Sequence, residues 1–180
     1  SLEASTEGAC EDGACEPEHE VQASTDFAQC ARSGAKDCGT LPAIGATEWL
    51  NSLGEPHGTV TLVDFWSSSC VNCAREIPEV ERIYEKYKDA GLVVIGVHSP
   101  QQAHEREASV VSGATSRLGI TYPVALDPEL EAFKAYGANA WPTHYLAGPD
   151  GQLRSMGRGT SGLEEQIRNL LTEAGASLPN

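Results

Sequence analysis

Long apolar runs are missing from this 180-residue chain. No stretch approaches the roughly 20 residues needed to cross a bilayer, and the N-terminus lacks the basic-then-apolar pattern of a secretory signal. Lysine and arginine are missing from positions 1–31, which hold eight acids (Glu3, Glu7, Glu11, Asp12, Glu16, Glu18, Glu20 and Asp26). These acids account for most of the net charge of -14. A surface of that sign repels a phosphate backbone, so nucleic acid is not an expected partner. A second Cys-x-x-Cys and a clustered histidine pair are also absent, and no metal or other cofactor is expected. What the chain does hold is 40% hydrophobic and 21% charged residues, a globular composition, together with six cysteines. Cytosolic proteins rarely keep several structural disulfides, so export is expected. Without a signal in view, the chain reads as a processed product or as the extracytoplasmic part of a longer, membrane-anchored protein.

Residues 1–25 hold almost no large apolar side chain and read as an acidic, disordered leader or linker, solvated rather than used for docking. Residues 26–180 read as a single domain. Within it, 48–50 reads as a short helix or turn. Residues 59–66 (TVTLVDFW) form a β-branched and aromatic run that predicts a strand buried on both faces, interrupted only by Asp64. A helix follows over 71–89, with Ile77, Val80, Ile83, Tyr84 and Tyr87 on one stripe and Gly91 as its stop. Residues 92–97 (LVVIGV) predict a second buried strand, so the three elements form a right-handed βαβ unit with parallel strands. Then come helical character over 103–118, a strand over 122–126, a short helix over 129–136, a hairpin of 144–147 and 152–156 around Gly148-Pro149-Asp150-Gly151, and a last helix over 162–174.

The chemistry centres on Cys70-Val71-Asn72-Cys73, at the junction of the first strand and the first long helix. Free backbone N–H groups and the macrodipole at a helix N-terminus favour an anion, so a thiol placed there ionises readily. Two intervening residues bring the sulfurs together over one turn. Cys70, the more exposed, is expected to attack, and Cys73 to resolve the mixed disulfide. The plainer reading, half of a zinc site, lacks its other half.

The segment DFWSSSCVNCAREIP resembles the active-site segment of thioredoxins, in their TlpA-like extracytoplasmic branch. Trp49-Leu50-Asn51, VDFW, Cys-x-Asn-Cys, Arg75-Glu76-Ile77-Pro78 and VIGVHSP are further similar to the thioredoxin-like segment of DipZ-type cytochrome c biogenesis proteins. The resemblance spans about residues 40–175. It implies an α/β thioredoxin fold, a central mixed sheet flanked by helices, with an αβ insertion after the first βαβ unit. It also implies roles for single residues. Asp64, six positions before Cys70, stands where thioredoxins carry a buried carboxylate that accepts the proton of Cys73. Glu76 stands where TlpA-like reductases carry a glutamate that tunes the cysteine pair, which leaves open which acid shuttles the proton. Pro78 is expected to kink the helix. Trp141-Pro142-Thr143 is similar to the cis-proline loop, whose residue before the proline offers its backbone to an extended substrate, and Trp66 is grouped with these three as substrate-binding. His98 and His144 read as satisfied loop histidines.

If Cys70 and Cys73 pair, Cys10, Cys15, Cys30 and Cys38 allow three pairings. Local structural bridges, Cys30–Cys38 and Cys10–Cys15, are expected, against the alternative that one pair relays electrons to Cys70 and Cys73. Altogether the resemblance implies an extracytoplasmic protein-disulfide oxidoreductase, a reductase of exported disulfides supplied with electrons by a membrane partner. A monomer is expected. A disulfide-forming oxidase shares every motif. A thiol peroxidase shares the fold but wants Thr where Ser67 stands, and a metal-binding module would use the cysteines as ligands.

Overall fold

The computed structural model describes residues 18–35 and 37–180. Cys10 and Cys15, and any bridge between them, lie outside the described residues. The elements run α1 (Glu18–Ser33), β1 (Trp49–Leu50), β2 (Val60–Trp66), α2 (Val71–Tyr87), β3 (Leu92–His98), α3 (Ala108–Arg117), β4 (Val124–Leu126), α4 (Glu131–Ala135), β5 (Thr143–Ala147), β6 (Leu153–Gly157) and α5 (Leu163–Glu173). They build one six-stranded mixed sheet in the order β1-β4-β3-β2-β5-β6. β2, β3 and β4 are parallel, as the βαβ pattern requires, while β1, β5 and β6 run antiparallel to their neighbours.

Strand alternation divides the core into two halves, one on each face of the sheet. Val60, Leu62 and Trp66 of β2 face the half that also holds Cys70, Cys73, Ile77, Val80 and Ile83 of α2, Val111 and Ala114 of α3, and Ile167 and Leu171 of α5. Val63 and Phe65 face the other half, with Phe27 and Ala31 of α1 and Ala132 and Phe133 of α4. Asp64 lies between Leu62 and Trp66 in the alternation, so it points into the cysteine-bearing half. The aromatic centre of the opposite half is edge-to-face packing of Phe65 on Phe133, Tyr136 and Tyr145.

Three expectations need correction. Residues 49–50 are a strand, paired Trp49 to Ala125 and Leu50 to Val124, rather than a helix or turn. Two residues carry no readable period, and the strand ends at Asn51 (φ 60), whose amide donates to the Ile120 and Tyr122 carbonyls at 3.0 and 3.1 Å. The strand expected from residue 122 starts at Val124, because Pro123 has no N–H for the ladder. The stretch expected to be leader is helical from Glu18, because α1 propagates backwards from the buried anchors Phe27, Ala28 and Ala31. Pro78 stands inside α2, which runs unbroken from Val71 to Tyr87. Cys30 and Cys38 are joined, tying α1 to the segment that leads toward β1.

α1 approaches the end of α4 closely. Gly137 has φ +70, and a β-carbon there would lie 2.5 Å from the Ala28 carbonyl oxygen. Gly137→Ala is expected to cost about 2–4 kcal/mol from left-handed strain and overpacking. Gly113→Ala, in exposed helix with nothing within 4 Å of the new carbon, is expected to gain about 0.5–1 kcal/mol. Urea unfolding of the two variants checks the pair, and shifts of the same sign would refute the close-approach argument.

Candidate active site

Between Trp66 and Val71 the chain leaves a central strand and enters a long helix, and its backbone groups need partners. Cys70 is the N-cap of α2: its backbone is extended (φ -80, ψ 109) and its sulfur accepts from the Cys73 N–H at 3.1 Å. Cys70 and Cys73 are joined in a disulfide, with Cα atoms 5.2 Å apart. Cys70 is 8% exposed and Cys73 1%, so the N-terminal sulfur is the reachable one. Beside them Val71 is 65% exposed, an apolar side chain standing in solvent at the mouth of the pair.

The rest of the turn is held by groups far away in sequence. The Ser68 N–H donates to His98 Nε2 at 3.0 Å. Glu105 accepts from the Ser68 hydroxyl (2.6 Å) and the Ser69 N–H (2.7 Å) with one oxygen, and from the Gln101 and Gln102 N–H groups (2.8 and 2.7 Å) with the other. Burial alone would raise its pKa, but these donors outweigh burial and bring it down to about 2. His98 is buried edge-to-face on Trp66, and desolvation lowers its pKa to about 4, which keeps it an uncharged acceptor at neutral pH.

Asp64 behaves in the opposite way. It is 4% exposed and makes no side-chain hydrogen bond among the described residues. Desolvation, reinforced by the charge of Glu76, raises its pKa from 3.8 to about 8. Its register partners are Gly96 on β3 and His144 on β5. A β-carbon on Gly96 would fall 2.8 Å from the Tyr122 ring and 3.1 Å from Trp66 Nε1, so the glycine admits both rings beside the acid. Among the described residues the Tyr122 hydroxyl and Trp66 Nε1 find no partner. Glu76, half-buried on α2, is also raised. Desolvation is the largest cause, opposed by the Gly159 backbone N–H and the Arg158 guanidinium. A proton-holding acid thus sits on the strand face that turns toward the cysteine-bearing half of the core, and Glu76 lies near enough to act on its charge.

The loop before β5 is tied to the same turn through Ser99, and Trp141 packs against the core half that holds Cys70 and Cys73. The Trp141-Pro142 peptide is cis. Trp141 is half-buried, stacks on Phe133 at 4.4 Å and donates from Nε1 to the Ser99 carbonyl at 2.8 Å. Arg158 donates to the Pro142 carbonyl (Nε, 3.1 Å) and to the Trp141 carbonyl (a terminal nitrogen, 2.8 Å). Two expected substrate contacts are corrected here. Trp66 is fully buried beneath the turn and offers no surface to a substrate. Thr143 is also buried, its hydroxyl donating to the Ala140 carbonyl at 2.7 Å. Glu105, His98 and Arg158 were not predicted as site residues. His98 had a weak signal at a strand end, whereas Glu105 and Arg158 lie in stretches without a local motif. Among the described residues no group of three His, Cys, Asp or Glu is placed to hold a metal ion.

Residues 41–156 match the family model of the AhpC/TSA family. The chain belongs to the AhpC/TSA family. Within its span this AhpC/TSA member is 39% identical over 168 residues to protein DipZ of Mycobacterium tuberculosis, covering 85% of this chain and 24% of DipZ, so it spans about a quarter of that relative. It is 30% identical over 139 residues to the thiol-disulfide oxidoreductase YkuV of Bacillus subtilis, covering 72% of this chain and 91% of YkuV. The solution structure of a thioredoxin-like protein in its oxidised form superposes with a TM-score of 0.66 at 27% identity, covering 75% of this chain and 96% of that one. The fold is thioredoxin-like, and this AhpC/TSA member is a thioredoxin-like thiol-disulfide oxidoreductase.

The two buried carboxyls give opposite pH signatures. Asp64 keeps its proton in the fold up to about pH 8 but loses it near 3.8 when unfolded, so its contribution falls as pH rises across that window. Asp64→Asn is expected to match the parent near pH 4 and to exceed its stability above pH 8 by about 3–5 kcal/mol. Glu105 is depressed from 4.5 to about 2, so its contribution is full above 4.5 and is lost as pH falls through 2. Glu105→Gln is expected to cost about 2–3 kcal/mol at pH 7 and little near pH 2. Denaturation across pH 2–9 measures both; parallel curves for parent and variants would contradict the assignment.

Proposed function

We propose that the chain is a reductase of protein disulfides that works outside the cytoplasm, with Cys70 as nucleophile, Cys73 as resolving cysteine and Asp64 as the proton acceptor during resolution. The Cys70 thiolate attacks a substrate disulfide, joins one sulfur and releases the other as a thiolate, which takes a proton from solvent. Cys73 then attacks Cys70 Sγ, giving its proton to Asp64 in the ionised form that grows as pH approaches its raised pKa of about 8. The second substrate thiol leaves, and the Cys70–Cys73 disulfide remains. Two electrons pass from the protein pair to the substrate, and a dithiol donor, on this reading a membrane protein, restores the pair. Glu76 tunes the pair from the groove side.

The observation that carries the direction is the charge around the sulfurs. An oxidising pair is a strong oxidant because its thiolate is stabilised. Here the helix N-terminus has no side-chain cation beside it among these groups: Asp64 and Glu76 are acids, His98 is neutral, and Arg158 is engaged by backbone carbonyls. Action outside the cytoplasm is supported by the Cys30–Cys38 bridge, since such bridges persist in oxidising compartments, and by the similarity to DipZ. No helix among the described residues is long and apolar enough to cross a membrane.

Redox titration with Cys10, Cys15, Cys30 and Cys38 replaced by Ser is expected to place the Cys70–Cys73 couple below about -250 mV, whereas a value near about -120 mV would reverse the direction. In insulin reduction Cys70→Ser is expected to be inert and Cys73→Ser to accumulate mixed disulfides. Retained turnover in Cys70→Ser would remove the nucleophile assignment.

A further inference from the structure

Arg158 is exposed at the end of β6 and makes no ion pair among the described residues. An exposed arginine in a chain with 26 acids and 12 bases meets carboxylates readily, yet its two hydrogen bonds go to the adjacent carbonyls of Trp141 and Pro142. The local backbone favours this placement. Gly157 and Gly159 flank the arginine, and Gly159 has φ +84, a conformation that suits glycine. A β-carbon on Gly159 would lie 3.9 Å from Glu76 Oε1, so the same segment also abuts the α2 side of the groove. Arg158 therefore bridges from the end of β6 to the cis-proline loop.

Trp141 is fixed in other ways too. Its ring is stacked on Phe133, its indole N–H is held by the Ser99 carbonyl, and its own carbonyl is held by Arg158. Its remaining polar group, the backbone N–H, has no partner among the described residues. A strand laid against this loop finds one donor open and two acceptors already occupied. An extended polypeptide can use that donor because its carbonyls recur at fixed spacing, and the donor is useful only if the loop is held still. A small disulfide has no strand to align and gains little from it.

Resting on the reductase reading above, we propose that Arg158 is a positioning residue for polypeptide substrates: by holding the Trp141 and Pro142 carbonyls it presents the Trp141 N–H as the main-chain docking point beside Cys70 and Cys73. Lysine does not replace arginine here, because a single ammonium lacks the planar fork that meets both carbonyls at once.

The test compares the reduced parent, Arg158→Lys and Arg158→Met with two substrates, an extended peptide carrying a disulfide and 2-hydroxyethyl disulfide. Both variants are expected to lose about tenfold more kcat/KM with the peptide than with the small disulfide, the excess lying in KM, a difference of about 1.4 kcal/mol. Equal losses on both substrates, or full rescue by lysine, would overturn the positioning role. Should Arg158→Met unfold, as thermal melting would show, Arg158→Lys and Arg158→Gln carry the comparison. A parent that reduces neither substrate would instead count against the reductase reading.

Discussion

A chain that passes from a buried central strand into a helix within a few residues must find partners for the backbone groups of the turn, or lose several kcal/mol in unmet hydrogen bonds. Between Trp66 and Cys73 those partners come from three places. The Trp66 carbonyl accepts from the Ser99 N–H at 2.9 Å, His98 and Glu105 accept from Ser68 and Ser69, and Cys70 caps its own helix. Glu105 matters most, because one buried carboxylate ties the turn after β2 to the turn after β3. With both turns fixed, the Cys70 sulfur has one position relative to the loop of Trp141 and Pro142, which is itself anchored on Ser99. Substrate geometry in such a site depends on this frame more than on the cysteines' own flexibility.

Asp64 and Glu105 show how environment decides the charge of chemically similar groups. Both are nearly inaccessible, at 4% and 1% exposed. Glu105 gathers four donors and stays ionised; Asp64 gathers none and stays protonated at neutral pH. The first contributes structure by keeping its charge. The second holds a proton close to its exchange point, which suits a group meant to take part in proton transfer. A buried aspartate without donors lowers stability at high pH, and such a cost is expected where function rather than folding selects the residue.

The parts of this arrangement that sequence made legible are the local ones. β2, α2 and β3 carry periodicity over 7, 17 and 7 residues, and the Cys70–Cys73 pair declares its helix-head position by what surrounds it. The cis loop and Cys30–Cys38 were equally accessible, one through resemblance and one through proximity along the chain. Hidden parts are the long-range ones. Glu105 reaches Ser68 across 37 residues and Arg158 reaches Trp141 across 17, and nothing in a linear motif states which of many charged residues closes such a contact. Trp66 misled for a related reason: adjacency to the cysteines along the chain says nothing about the face of the strand, and the even-numbered face of β2 turns it into the core.

The division of labour between the two walls follows from their construction. On the α2 wall the groups next to the sulfurs are titratable or redox-active, and they change state during a disulfide exchange. On the other side Trp141, Thr143 and Arg158 are held by hydrogen bonds to backbone carbonyls, which carry no titratable proton. A wall of that kind holds its shape while charge and bonding change opposite it. On the reductase reading proposed above, a rigid docking edge serves both attack by Cys70 and resolution by Cys73 against one fixed strand position, so the substrate need not be rebound between them. Among the described residues Asp64 and Glu76 stand on the side of the sulfurs, and Arg158 is committed to the backbone carbonyls of the cis-proline loop.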